Sequence, residues 1–387
     1  MSLRSYLDKI KPNFEKGGKH EKLHSTFEAF ESFAYTPNTV TKKGSHVRDA
    51  VDLKRTIITV VIALLPATLF GMWNIGHQTA LAYPGMFENT FWHCLWFGFL
   101  RMLPIIVVSY VVGLFIEFLF AEIRHEEVNE GYIATGLLIS LIVPVTIPLW
   151  QLAMAVAFAV VIGKEVFGGT GMNFLNPALV ARAFLFFSYP THMSGDSVWI
   201  AKPYHFTGDV VSGATPLGEL MAGMNPQASA MQMFLGTIPG SIGETSVLAI
   251  LIGAAILLCT GVASWRIMLS VAIGGGLMGL LFNAIGTNAY MALPWWQHYL
   301  MGGFAFGAVF MATDPVTSAQ TNCGKWIYGF LIGVFAVLLR VVNPAYPEGM
   351  MLSILLLNCF APLIDHCVVQ RNIKMRLARS AAHKQSN

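Results

Sequence analysis

Residues 131–146 read G-Y-I-A-T-G-L-L-I-S-L-I-V-P-V-T, and residues 302–317 read G-G-F-A-F-G-A-V-F-M-A-T-D-P-V-T. Gly, Ala, Gly, Pro, Val and Thr coincide at six of these sixteen positions without a gap. Apolar helices reuse Gly and Ala, so those matches alone carry little. The shared P-V-T in one register marks an internal repeat. A weaker echo pairs Asn176-Pro177-Ala178 with Asn343-Pro344-Ala345. Proline cannot donate to the helical ladder, so each copy reads as a helix broken at Pro144 or Pro315.

Composition sets the class. The chain of 387 residues is 55% hydrophobic and 12% charged, about half the charged fraction of a soluble domain. A net charge of +3 is too small to indicate a nucleic-acid partner. A bilayer-spanning helix needs ~20 mainly apolar residues. Ten stretches qualify or come close: 56–73, 102–120, 131–148, 149–163, 174–189, 246–265, 267–286, 298–312, 326–342 and 350–363. Lys42, Lys43, Arg48, Lys54 and Arg55 precede the first; Arg371, Lys374, Arg376, Arg379 and Lys384 follow the last. Basic flanks stay in the cytoplasm, so both termini are expected there and the span count must be even. The segment 190–245, with Lys202 its only basic residue, then falls outside.

Five spans per half is odd, so the second half must be inverted. The expected fold is an all-α polytopic membrane protein of about ten transmembrane helices, built as two inverted five-helix repeats. Its parts are a cytoplasmic segment (1–55), repeats at 56–189 and 246–366, a periplasmic loop (190–245) and a basic cytoplasmic tail (367–387). Inverted halves with proline-broken helices are a transporter or channel design, with polar sites where backbone is unwound near the midplane. Near the N-terminus, aromatics and Ala29 at helical spacing between Phe27 and Phe33 predict a short amphipathic helix on the membrane or a partner; a partly ordered tail is the alternative.

Few residues suit chemistry. The five cysteines show no C-x-x-C pairing and read as buried thiols; an iron–sulfur cluster held by this chain alone is not expected. Glu117 stands alone in V-V-S-Y-V-V-G-L-F-I-E-F-L-F, where a charge at the bilayer centre costs about 2.5–3.5 kcal/mol on insertion scales. It needs a partner or a function, unless it is interfacial. Gly113, four residues earlier on the same face, leaves a notch beside it. Asp314 precedes Pro315 at the second break, and Asp365 lies just past the last span; each suits a hard monovalent cation or a helix end. Gly168-Gly169-Thr170-Gly171 lacks the full phosphate-loop pattern and reads as a turn into a half-helix at Asn176-Pro177. Thr135 and Asn176 offer hydrogen bonds to a polar ring edge, and Trp199 a stacking face. In the long loop, residues 209–216 read D-V-V-S-G-A-T-P. Thr215 there has no nearby base, so it suits a hydroxyl modified by another enzyme, or a plain turn.

Five motifs together point to one family. They are R-H-E-E-V-N-E-G (124–131), G-K-E-V-F-G-G-T-G-M-N-F-L-N-P-A-L (163–179), S-G-A-T (212–215), G-G-F-A-F-G-A-V-F-M-A-T-D-P-V (302–316) and R-V-V-N-P-A-Y-P-E-G-M-M (340–351). They resemble the B-subunit family of the bacterial sodium-translocating NADH:quinone oxidoreductase (the Nqr complex). The likeness runs from G-G-K-H-E-K (17–22) to R-N-I-K (371–374). The D-type subunit of the related ferredoxin:NAD oxidoreductase (Rnf) complex shares the loop motif and the repeat.

The resemblance implies a ten-helix subunit of an inner-membrane redox sodium pump, with five other subunits (A, C, D, E and F). It implies FMN joined through its phosphate to Thr215 by a separate flavin transferase that reads Asp209, Ser212, Gly213 and Ala214. It also implies non-covalent riboflavin at Thr135, Asn176 and Trp199, ubiquinone near Gly113, and sodium-linked acids at Glu117, Asp314 and Asp365. No metal or catalytic residue is expected on this chain, and NADH, FAD and iron–sulfur sites belong to other subunits. One departure is visible: Val210 follows Asp209 where the family usually has Gly. The rival class is a passive channel or transporter for a small polar solute, which has no use for S-G-A-T. Flavin fluorescence from the denatured band in a gel separates the two.

Overall fold

The computed structural model describes residues 3–14, 18, 20, 23–35, 44, 53–125, 128, 131–204, 211, 213–343 and 349–386. Every regular element among them is helical. The chain begins with α1 (Leu3–Ile10) and α2 (His24–Ala34). The first half follows as α3 (Leu53–Ala82), α4 (Phe91–Arg124), α5 (Tyr132–Leu141), α6 (Leu149–Gly163) and α7 (Pro177–Ser188). The connecting segment carries only α8 (Pro190–Met193), α9 (Pro216–Met221) and α10 (Ala230–Leu235). The second half holds α11 (Val247–Cys259), α12 (Trp265–Ile285), α13 (Ala289–Ala292), α14 (Phe304–Phe306), α15 (Asn322–Val342) and α16 (Gly349–Ser386).

Six helices, α3, α4, α6, α12, α15 and α16, are long and apolar enough to cross a membrane; α5, α7 and α11 are shorter apolar helices. The chain is a polytopic all-α membrane protein. The expected continuous span 298–312 is instead broken. It consists of a 3-10 turn (Trp295–Tyr299), the single turn α14 and a buried π-helix (Gly307–Met311). Arg340 of α15, 1% exposed, explains how this break is tolerated. Its guanidinium donates to the carbonyls of His298 (2.8 Å) and Met301 (3.1 Å), which no helix satisfies. In the first repeat copy α5 ends at Leu141, within one residue of the register at which the π-helix ends, Met311. Beyond α5, the Gly243 amide donates to the Leu141 carbonyl (2.7 Å), so the connecting segment supplies the missing donor.

Packing recurs in the two halves. Helix α6 lies between α4 and α7, and α15 lies between α12 and α16. Across the halves, α3 meets α11 and α7 meets α16. Small residues allow the close approach: a Cβ on Gly274 or Gly333 would run into the backbone of the facing helix, α15 or α12 respectively.

Helix α4 shows why the sequence folds inside out relative to a soluble protein. Leu103, Val107, Val111, Phe115, Leu119 and Ile123 recur every four residues and are exposed on the outer face of the helix. Ile105, Ser109, Gly113 and Glu117, offset by two, are buried against the neighbouring helices. The same logic corrects the cysteine expectation. Only Cys94 is buried; Cys259, Cys323, Cys359 and Cys367 are exposed, because in this class apolar residues face outward. The predicted amphipathic helix exists as α2, but it rests on its own chain. Thr26 donates its amide (2.9 Å) and hydroxyl (2.8 Å) to Glu122 near the end of α4.

Candidate functional site

Two polar clusters sit where helices are broken. The first is a cavity of ≈ 140 Å³ between the halves. Its wall includes Thr135, Lys164, Asn173, Asn176, Thr313 and Asp314, with apolar contributions from α3 and α11. The geometry follows from local sequence. Asn176 caps α7, its Oδ1 accepting from the amides of Ala178 (3.0 Å) and Leu179 (3.5 Å), with Pro177 at the first helical position. That capping aims the amide nitrogen across the halves toward Asp314 Oδ2 (3.4 Å). Asp314 follows the π-helix and closes its own turn, accepting from the Val316 amide (3.1 Å) and the Thr317 hydroxyl (3.0 Å). Thr135 spends its hydroxyl proton on the Gly131 carbonyl (3.4 Å) and keeps its acceptor capacity. Thr135, Asn176 and Asp314, far apart in sequence, therefore share one cavity.

The second cluster is a smaller cleft, ≈ 60 Å³, lined by Trp199, Thr215, Arg182, Glu244, Thr245 and the Gly302-Gly303 backbone. Thr215 is the N-cap of α9: its Oγ1 accepts from the Gly218 amide at 3.1 Å, and Pro216 opens the helix. Thr215 is half-buried, as are Gly213 and Ala214. A Cβ on Gly213 would meet the tip of the Ile200 side chain, which would have to shift to admit it. Asp209 and Ser212 lie outside the described residues. Below the cleft, Arg182 and Glu244 form an ion pair at 2.6 Å with side chains 3% and 5% exposed, and Arg182 also reaches Ser241 Oγ (3.3 Å). The buried Thr245 hydroxyl has no hydrogen-bond partner.

Several expectations change. Trp199 stands with Thr215, not with Thr135 and Asn176; the two cavities share no wall residue. Glu117 is not alone: its carboxylate is paired with Lys164, both side chains 5% exposed or less. The notch at Gly113 is filled, because Tyr132 lays its ring there and donates to the Ser109 carbonyl (2.9 Å). Asp365 lies within α16 rather than past it. It accepts from the amides of Gln320 (2.6 Å) and Thr321 (3.0 Å) and the Thr321 hydroxyl (2.5 Å), fixing the start of α15. Arg182, Glu244, Lys164 and Tyr132 went unremarked in the sequence. Arg182 was findable: it is a lone charge in an apolar run, the criterion that singled out Glu117.

Broken helices that enclose polar cavities, with charged and polar side chains buried at the break points, define a polytopic all-α membrane protein. The chain belongs to the NQR2, RnfD, RnfE family, whose model matches residues 40–374. Similar proteins carry the name of the B subunit of Na(+)-translocating NADH-quinone reductase. The one from Stutzerimonas stutzeri (strain A1501) is 52% identical over 408 aligned positions, covering 98% of this chain and 100% of the relative. That of Azotobacter vinelandii (strain DJ / ATCC BAA-1303) gives the same figures. That of Chromohalobacter salexigens is 50% identical, covering 99% of this chain and 98% of the relative.

Proposed function

We propose that this chain is the B subunit of a redox-driven sodium pump, which passes electrons from NADH through covalent FMN and riboflavin to ubiquinone and exports Na+. Full-length identity of 50–52% to proteins of that name supports the reading. It favours this complex over Rnf, which shares the family, and over a solute channel. In this reading the chain acts as a translocase part, within an inner-membrane assembly with subunits A, C, D, E and F. Both termini are cytoplasmic and the Thr215 loop is periplasmic, where a flavin transferase works.

The observation that carries the proposal is Thr215 itself. The hydroxyl of S-G-A-T caps a short helix on a cleft shared with Trp199 and a buried ion pair. An ester at Oγ1 replaces the hydroxyl proton and leaves the oxygen able to accept from the Gly218 amide, so the residue fits the role. FMN, when bound, supplies electron-transfer chemistry. The chain's own residues do the rest. Thr215 fixes position, which replaces a diffusional search with a set distance. Trp199 walls the cleft. The unpartnered Thr245 hydroxyl gives the cleft a polar handle.

Thr135 and Asn176 are assigned to riboflavin: Asn176 retains one amide N–H and Thr135 an acceptor toward the cavity. Gly113 is assigned to the quinone region, with Tyr132 as its neighbour. Glu117, Asp314 and Asp365 are assigned as sodium-linked acids. The test is peptide mass spectrometry of the 190–245 region from protein co-produced with its transferase. Flavin mass on Thr215, lost in Thr215→Ala while the fold persists, is the expected result. An unmodified peptide, or flavin on Ser212, overturns the assignment.

A further inference from the structure

Glu117 and Lys164 meet in the interior, from the C-terminal part of α4 and the residue after α6. Neither is reached by solvent to any useful extent. Two features make this more than a neutralised pair. Lys164 also forms part of the wall of the inter-half cavity, beside Asn176 and Asp314. Lys164 therefore pairs with one carboxylate and lines the cavity that holds a second, Asp314. The Tyr132 ring, locked on Gly113, lies 6.0 Å from Nζ and offers its face to the cation. Next door Arg124 pairs with Glu165 at 3.0 Å, so these four charges cancel in two pairs.

A sodium ion bound to Glu117 would take the place that the ammonium fills. Two cations beside one carboxylate in a low-dielectric interior repel each other strongly. We propose that Lys164 is a tethered counter-cation that competes with sodium for Glu117. Cation binding there is an exchange: the ammonium leaves toward the Asp314 cavity as the ion arrives, and no buried carboxylate is left bare. Lysine suits this task because it is a point charge on a four-carbon stem, whereas arginine would grip a carboxylate with a rigid two-pronged fork. The inference rests on the reading of Glu117 as sodium-linked.

The test uses the assembled complex in membranes, with quinone reduction followed against sodium concentration at constant ionic strength. Lys164→Arg keeps the charge, and its fork is expected to keep the pair with Glu117. It is expected to raise the half-saturating sodium concentration roughly tenfold, the equivalent of one stronger charge-assisted hydrogen bond. Lys164→Met, where it assembles, is expected to lower it. A merely structural role for Lys164 lowers the maximal rate and leaves half-saturation where it was. Unchanged or lower half-saturation in Lys164→Arg overturns the exchange. Glu117→Gln separates the two failures. An unaltered sodium response there removes the sodium reading of Glu117 and this inference with it. An altered response in Glu117→Gln with none in Lys164→Arg strikes the exchange alone.

Discussion

Breaking the Arg182–Glu244 pair is expected to destabilise the protein more than removing it altogether. The two charges sit 2.6 Å apart with side chains 3% and 5% exposed. At an effective dielectric of ~20, their attraction is about 6 kcal/mol. Desolvation costs several kcal/mol for each ion, so the intact pair stands near break-even. A single substitution keeps one desolvation cost and loses the attraction. Arg182→Met and Glu244→Met are each expected to cost about 3–5 kcal/mol. The double variant Arg182→Met/Glu244→Met is expected to recover at least half of that. The assay is thermal unfolding of the purified complex followed by tryptophan fluorescence, arranged as a double-mutant cycle. Since both residues line the Thr215 cleft, flavin content at Thr215 is expected to fall with the single variants and return in the double. Additive losses, or singles without loss, would refute the reasoning.

Gly113→Ala puts a methyl group into the Tyr132 ring, an overpacking cost of about 1–3 kcal/mol. The apparent quinone KM is expected to rise, and Tyr132→Ala in the same chain to restore the space and lower it again; a double variant no better than the single counts against the contact. Asp365→Ala removes the acceptor of two backbone amides, so hydrogen exchange at Gln320 and Thr321 is expected to quicken well beyond that of the mid-helix amides of α15. Unchanged protection at those two amides would show that another group holds the turn.

Much of the fold was legible because a bilayer imposes one simple rule, a run of apolar residues per crossing. The span 149–163 emerges with its predicted bounds. The break at 298–312 was half-legible: Pro315 marked its end, but the unwound start at His298–Met301 has its carbonyls satisfied by Arg340 of α15, a long-range fact that no local pattern carries. The site divides in the same way. Glu117 announced itself as a charge in an apolar run, while its partner Lys164 hid at a helix end, where lysine is ordinary. The sequence groups Trp199 with Thr135 and Asn176, but the polar loop places it in the wall of the Thr215 cleft instead. Loop trajectories follow from burial of scattered residues such as Ile200, Leu217 and Met233, and those have no period to read.

Helix α16 runs unbroken from the buried Met350 to Ser386, and between Leu363 and Ser380 most of its residues are exposed. At 1.5 Å per residue, Ser380 stands roughly 27 Å from Pro362. The last stretch is thus a mast, studded with Arg371, Lys374, Arg376 and Arg379. Its foot is not free to swivel. Asp365 bolts it to the turn at 320–321, a few residues along the chain from Asp314. Leverage on the tip is therefore felt first at that turn, so a binder gripping the mast would have a mechanical handle on the inter-half cavity without entering the membrane.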